Sequence, residues 1–264
     1  MIKSTIFYIF LILWTFVLGL FFLPLLFFPY KYLYSPIKLW IRGTFFLLKS
    51  ICNLSFEIRG EKNINKKNIK FIASKHQSAF ETLFLYNYFS KVIFIHKYEL
   101  FFIPIFGMYL KKLNMVSINR KGGSKALIRM INETKEKISK GCTLIIFPEG
   151  TRKLPGSNPD YKSGVAGIYK EINFDVLPIA LNSGFYWPKN SFKIKSGKII
   201  IEFLPIIKKG LDKNEFIELL ENNIEKKKCG TENLIIFFSW IKSTSLTKFF
   251  YLFSYFSSFR KHFF

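Results

Sequence analysis

The residues best suited to chemistry lie in one short stretch, Ser74-Lys75-His76-Gln77-Ser78-Ala79-Phe80-Glu81, where an apolar run gives way to a helical one. A neutral imidazole can take a proton from an alcohol near neutral pH. A carboxylate bonded to its other nitrogen fixes the tautomer and stabilises the imidazolium that forms. This is a hydrolase triad without its nucleophile; if the alcohol belongs to the substrate, the same pair drives transfer of a group onto that alcohol. A spacing of five does not let two side chains meet on one regular helix, which needs three or four. His76 is therefore expected in the turn before a helix, with Ser78 as N-cap and Glu81 at the third helical position. The competing reading makes Glu81 a capping-box carboxylate with no catalytic duty.

Three further stretches could assist. Phe147-Pro148-Glu149-Gly150-Thr151-Arg152 follows the apolar run Thr143-Leu144-Ile145-Ile146, so a strand ends in a turn at its carboxyl end, where open α/β sheets place ligands. Arg152 offers a planar fork suited to phosphate, and Thr151 a hydroxyl; the alternative is a solvated turn. Asn119-Arg120-Lys121-Gly122-Gly123-Ser124 joins a predicted strand to a helix, and reads either as an anion site or as a solvated basic turn. Val176-Leu177-Pro178-Ile179-Ala180-Leu181-Asn182 carries no ionisable group, and any contribution from it is one of shape.

The elements that must position these residues have the pattern of an α/β domain, a mixed sheet flanked by helices. Strands are predicted at Leu54–Arg59, 70–74, 92–95, 115–118, 143–147, Val176–Leu181, 192–194 and 199–203, and helices at 79–89, 104–113, 125–139, 165–171 and 213–227. Ahead of them, residues 6–28 form an uncharged run long enough to cross a bilayer, with Pro24 near its end. That run either spans the membrane or bends and enters one leaflet, packing with a second helix over 37–52. It is too long for a cleaved signal peptide, and no small-residue cleavage site follows it. Lys31, Lys38, Arg42 and Lys49 follow it and only Lys3 precedes it, which places the remainder on the cytoplasmic side. The expected division is residues 1–52 for membrane attachment, 53–232 for the α/β domain, and 233–264 for an aromatic, basic C-terminal helical extension. That extension either lies at the membrane interface or covers the core.

Composition supports a lipid setting. Of 264 residues, 33 are phenylalanine, more than a soluble core of this size requires. The net charge of +23 is mostly lysine spread along the chain, which suits an anionic membrane surface better than nucleic acid. Cys52, Cys142 and Cys229 make neither a metal-ligand spacing nor a disulfide framework.

In this order and spacing, the four stretches resemble the membrane-bound glycerolipid acyltransferases, most closely the bacterial 1-acyl-sn-glycerol-3-phosphate acyltransferases. The family pattern is His-x4-Asp, an arginine motif, Phe-Pro-Glu-Gly-Thr-Arg and a proline-centred hydrophobic strand. Glu81 stands here where most members carry Asp, Lys75 where many have Asn, and Asn119 where an Asp is common. The resemblance implies that His76, oriented by Glu81, activates the sn-2 hydroxyl of lysophosphatidate for attack on the thioester of acyl-CoA or acyl-carrier protein. It assigns the acceptor's phosphate to Arg120, Glu149, Gly150, Thr151 and Arg152, and the hydrophobic strand around Pro178 to the acyl donor. It implies no resident cofactor or metal, and an enzyme of phospholipid biosynthesis at a bacterial inner membrane. A relative acting on glycerol-3-phosphate or a lyso-aminolipid would keep the histidine pair and change the acceptor pocket. A non-enzymatic basic membrane-binding protein would account for the charge, but not for four motifs in order.

Overall fold

A computed structural model describes residues 1–64, 69–103, 106–113, 115–119 and 122–226. Its centre is a seven-stranded sheet of β1 (Leu54–Arg59), β2 (Phe71–Ser74), β3 (Val92–Lys97), β4 (Val116–Ile118), β5 (Thr143–Ile146), β6 (Val176–Leu181) and β7 (Gly197–Phe203), in spatial order β1-β7-β6-β2-β5-β3-β4. All pairs are parallel except β6 with β7. The three central strands are buried at every residue, which explains why they read as unbroken apolar runs and not as alternating ones. Pro178 fits within β6 because it lies opposite Leu204, one residue past the end of β7. There the Leu204 amide donates to the Pro178 carbonyl and no amide is needed in return.

Helices α3 (Phe80–Tyr88), α4 (Phe106–Lys112), α5 (Gly123–Ser139), α6 (Ser163–Ile172) and α7 (Lys213–Lys226) complete the domain. The crossover from β2 through α3 runs one way along the sheet, and those through α5 and α6 run the other. Right-handed connections therefore put α3 on one face and α5 and α6 on the opposite one. The connections leave β2 and β5 for opposite faces, so a crevice opens between these neighbours at their carboxyl ends. This crevice is where the first two motifs meet.

Residues 192–194, expected as a strand, are not one. Ile194 instead exchanges its backbone groups with the Ser4 hydroxyl, and Phe192 stacks on Tyr8 at 4.5 Å, so the segment serves as a seat for the N-terminal helix. That helix, α1 (Ile2–Phe21), starts earlier than expected and stops sooner, because Pro24 starts a 3-10 turn over Leu23–Phe27. The chain then returns along α2 (Tyr34–Cys52). The two helices lock through Trp14 Nε1 donating to the Trp40 carbonyl at 3.1 Å and Trp40 Nε1 to Thr15 Oγ1 at 2.9 Å. Gly43 is required here, since a Cβ would sit 2.5 Å from the Trp14 ring.

Candidate active site

The first two sequence motifs enter the site from the carboxyl ends of parallel strands. His76 lies two residues past β2, Glu149 three past β5, and the segment after β6 closes the far side. The turn holding His76 is fastened at several points. The Lys75 amide continues the β2–β6 ladder by donating to the Ile179 carbonyl at 3.0 Å. The His76 amide donates to Glu149 Oε2 at 3.2 Å, and the His76 carbonyl accepts from the Lys153 amide at 2.9 Å. The imidazole stacks on Phe147, with ring centroids 3.9 Å apart and planes at 14°. The Phe-Pro-Glu-Gly-Thr-Arg stretch thus grips the histidine from its ring to its backbone.

His76 Nδ1 lies 2.9 Å from Glu81 Oε1. The same oxygen accepts the amides of Gln77 and Ser78, each at 2.6 Å, while Ser78 Oγ accepts from the Phe80 amide at 3.2 Å. Glu81 therefore contacts the imidazole and also holds the amides of the turn ahead of the helix; the helix itself starts at Phe80 with Ala79 as N-cap, which puts Glu81 at the second helical position and not the expected third. The second carboxylate oxygen accepts from the Ser183 hydroxyl at 2.7 Å. Every group facing this fully buried carboxylate can donate, the environment of an acceptor-only anion. Desolvating a carboxylate costs several kcal/mol, and donors to a charged acceptor, each worth about 1.5–3 kcal/mol, offset that cost. Nδ1 then carries the proton toward Glu81, leaving Nε2 as the basic nitrogen. His96, the other described histidine, bonds the Lys97 carbonyl and packs edge-on against Phe101.

Glu149 is as buried as Glu81 but serves a different purpose. Its oxygens meet the His76 amide and, at 3.4 Å, the Lys75 ammonium. Burial pushes its carboxyl up from the usual range, with Lys75 and the His76 amide opposing. The turn beyond it needs Gly150 at φ 63°, in the left-handed region, where the Gly150 amide returns to the Phe147 carbonyl. Thr151 is half-buried and Arg152 exposed, so this arginine is presented outward from the turn. Arg120 lies outside the described residues, as does the C-terminal extension over 233–264. Pro178 is buried within β6, two strands from β5.

Sequence reasoning missed two groups. Ser183 reaches Glu81 across 102 positions, and the Gly184 amide donates to Gln77 Oε1 at 3.2 Å. The only local signal is that Asn182-Ser183-Gly184 is a polar turn directly after an apolar strand. Glu225 on α7 meets Lys75 from 150 positions away, and nothing in its amphipathic helix distinguishes it from other acids there.

The family described as Acyltransferase matches residues 55–182, the interval from β1 through the residue after β6. A 1-acyl-sn-glycerol-3-phosphate acyltransferase of Pseudomonas aeruginosa is 34% identical over 207 residues, covering 77% of this chain and 80% of that protein. A relative of the same description in Borreliella burgdorferi is 24% identical, over 72% of this chain and 74% of its own. The crystal structure of the 1-acyl-sn-glycerophosphate acyltransferase from Thermotoga maritima shares the fold, with a TM-score of 0.67 at 21% identity over 86% of this chain and 98% of that one.

Proposed function

The chain belongs to the 1-acyl-sn-glycerol-3-phosphate acyltransferase family, and on that premise we propose that it moves a fatty acyl group from acyl-CoA or acyl-carrier protein to the sn-2 hydroxyl of 1-acyl-sn-glycerol-3-phosphate, giving phosphatidic acid. The observation that carries this reading is the 2.9 Å contact between His76 Nδ1 and the buried Glu81 carboxylate, with no serine, threonine or cysteine bonded to the imidazole among the described residues. The acceptor hydroxyl gives its proton to Nε2 as its oxygen attacks the thioester carbonyl. The tetrahedral intermediate then expels the thiolate, which takes the proton from the imidazolium. Neither an acyl-enzyme nor a resident cofactor is needed. Arg152, together with Arg120, is assigned to the acceptor's phosphate; Glu149, engaged with Lys75 and the His76 amide, acts by holding the histidine.

The N-terminal helix is compatible with membrane association, being 20 residues of high mean hydropathy, 2.2, with most of its surface uncovered. We assign it to one leaflet. Near its start, Ser4 bonds Ile194 and the Tyr8 hydroxyl accepts from Trp187 Nε1 at 3.0 Å; near its end, the Gly19 carbonyl accepts from Tyr109 at 2.8 Å. A helix about 30 Å long, tied to one domain at both ends, cannot cross the bilayer without taking that domain with it. Its outward apolar face suits shallow insertion, so that a single-chain lipid reaches His76 without leaving the membrane.

The test is acyl transfer from a labelled thioester by membranes containing the protein, with lysophosphatidate, glycerol-3-phosphate and a lyso-aminolipid offered as acceptors. Lysophosphatidate should be acylated, and His76→Ala should lose roughly 10²–10⁴-fold in kcat. Full activity in His76→Ala would remove the base, while acylation of another acceptor alone would keep the chemistry and overturn the substrate.

A further inference from the structure

We propose that α7 is a positioning element for catalysis: through Glu225 it fixes Lys75, and through Lys75 it fixes the turn that presents His76. The inference rests on His76 being the base. The Lys75 ammonium donates to both Glu225 oxygens, at 2.5 and 2.6 Å, and lies 3.4 Å from Glu149 Oε1. The side chains of Lys75, Glu225 and Glu149 are 12%, 25% and 1% exposed, so this is a largely buried cluster with one cation between two anions. The Tyr161 hydroxyl donates to Glu225 Oε1 at 3.2 Å. Burial and the nearby carboxylates push that hydroxyl well up, so it remains a donor.

The consequence reaches His76 by two routes. Lys75 immediately precedes it, so holding the ammonium on α7 and the amide on Ile179 pins the residue at both its ends. Lys75 also supplies the charge that lets buried Glu149 stay an acceptor for the His76 amide at 3.2 Å. Stability alone does not explain such a cluster, because a buried ion pair is commonly matched or exceeded by apolar side chains of similar volume. Geometry does explain it, since displacing a reacting group by about 1 Å can cost on the order of 10² in rate. Because Phe216, Leu220 and Ile224 seat α7 in the core, the histidine turn is completed only once this helix has docked.

The test compares kcat and acceptor KM for the full-length enzyme, Glu225→Gln, Lys75→Met and the double variant. Glu225→Gln should lower kcat about five- to tenfold with acceptor KM within about twofold, and Lys75→Met should lower it further because Glu149 loses its cation. In the Lys75→Met background, Glu225→Gln should change kcat by less than about twofold, since its partner is gone. The same factor in both backgrounds, or no loss in the single variant, would overturn the proposal. Should Lys75→Met fail to fold, Tyr161→Phe forms the second cycle with Glu225→Gln. A combined loss equal to the product of the single losses would then count against coupling. His76→Ala in the same assay separates the two readings: if it stays active the base assignment fails, whatever Glu225 does.

Discussion

In the turn around His76 several buried side chains are polar and hydrogen-bonded, whereas along α1 most of the side chains facing outward are apolar. Ser183, Gln77, Glu81 and Glu149 are all under 4% exposed and all hydrogen-bonded. On α1, Phe10 and Phe16 are 50% and 55% exposed, and Ile12 67%. The two regions depart from the ordinary distribution of polar and apolar groups in opposite senses. A buried, hydrogen-bonded polar cluster holds a carboxylate and an imidazole in one geometry. An uncovered apolar helix face is costly in water and favourable at a lipid surface. The contrast sets precision at the carboxyl ends of the central strands against an apolar hairpin face compatible with membrane association.

Three changes probe that contrast, the first with the largest effect. Glu81→Gln keeps an acceptor for the Gln77 and Ser78 amides and for Nδ1, and turns its amide toward Ser183, whose hydroxyl can accept. The fold should therefore persist while the charge opposite the imidazolium disappears. A kcat fall of about 10²-fold or more is expected with an unchanged melting curve; near wild-type turnover would reduce Glu81 to bracing the turn at Gln77 and Ser78. Replacing Phe10 and Phe16 together by Ser should weaken partition into anionic vesicles roughly tenfold or more, at about 1 kcal/mol per half-exposed ring, and leave turnover in detergent unaltered. Unchanged vesicle binding would move the membrane contact elsewhere.

The smallest effect concerns Glu149. A carboxyl whose folded value is raised binds its proton more tightly when folded. Its contribution to stability is thus complete below the unfolded value, about 4.3, and is lost as pH climbs through the folded one. Wild type should lose a few degrees of Tm relative to Glu149→Gln as pH rises across that window. A wild type that gains instead would mean that Lys75 outweighs burial.

Much of the architecture was legible because burial on both faces writes β2, β5 and β6 as continuous apolar runs, and because turn residues mark where they end. Residues 192–194 were misread, since their alternation reflects packing against Ser4 and Tyr8 and not a neighbouring strand. The His76–Glu81 contact was within reach, being a matter of spacing at a helix start.

The amino-acid sequence alone thus determined seven of the eight expected strands, the turn that brings His76 to Glu81 and the apolar N-terminus, all features set by interactions among near neighbours. Only the tertiary structure decided that Glu149 holds the His76 backbone, that Ser183 completes the Glu81 shell and that Glu225 fixes Lys75. It also decided that α1 is tied down at both ends. Those contacts join residues separated by tens to hundreds of positions. Hydrogen bonds leave no periodic trace in a chain, so their partners are chosen only when the sheet brings the strand ends together.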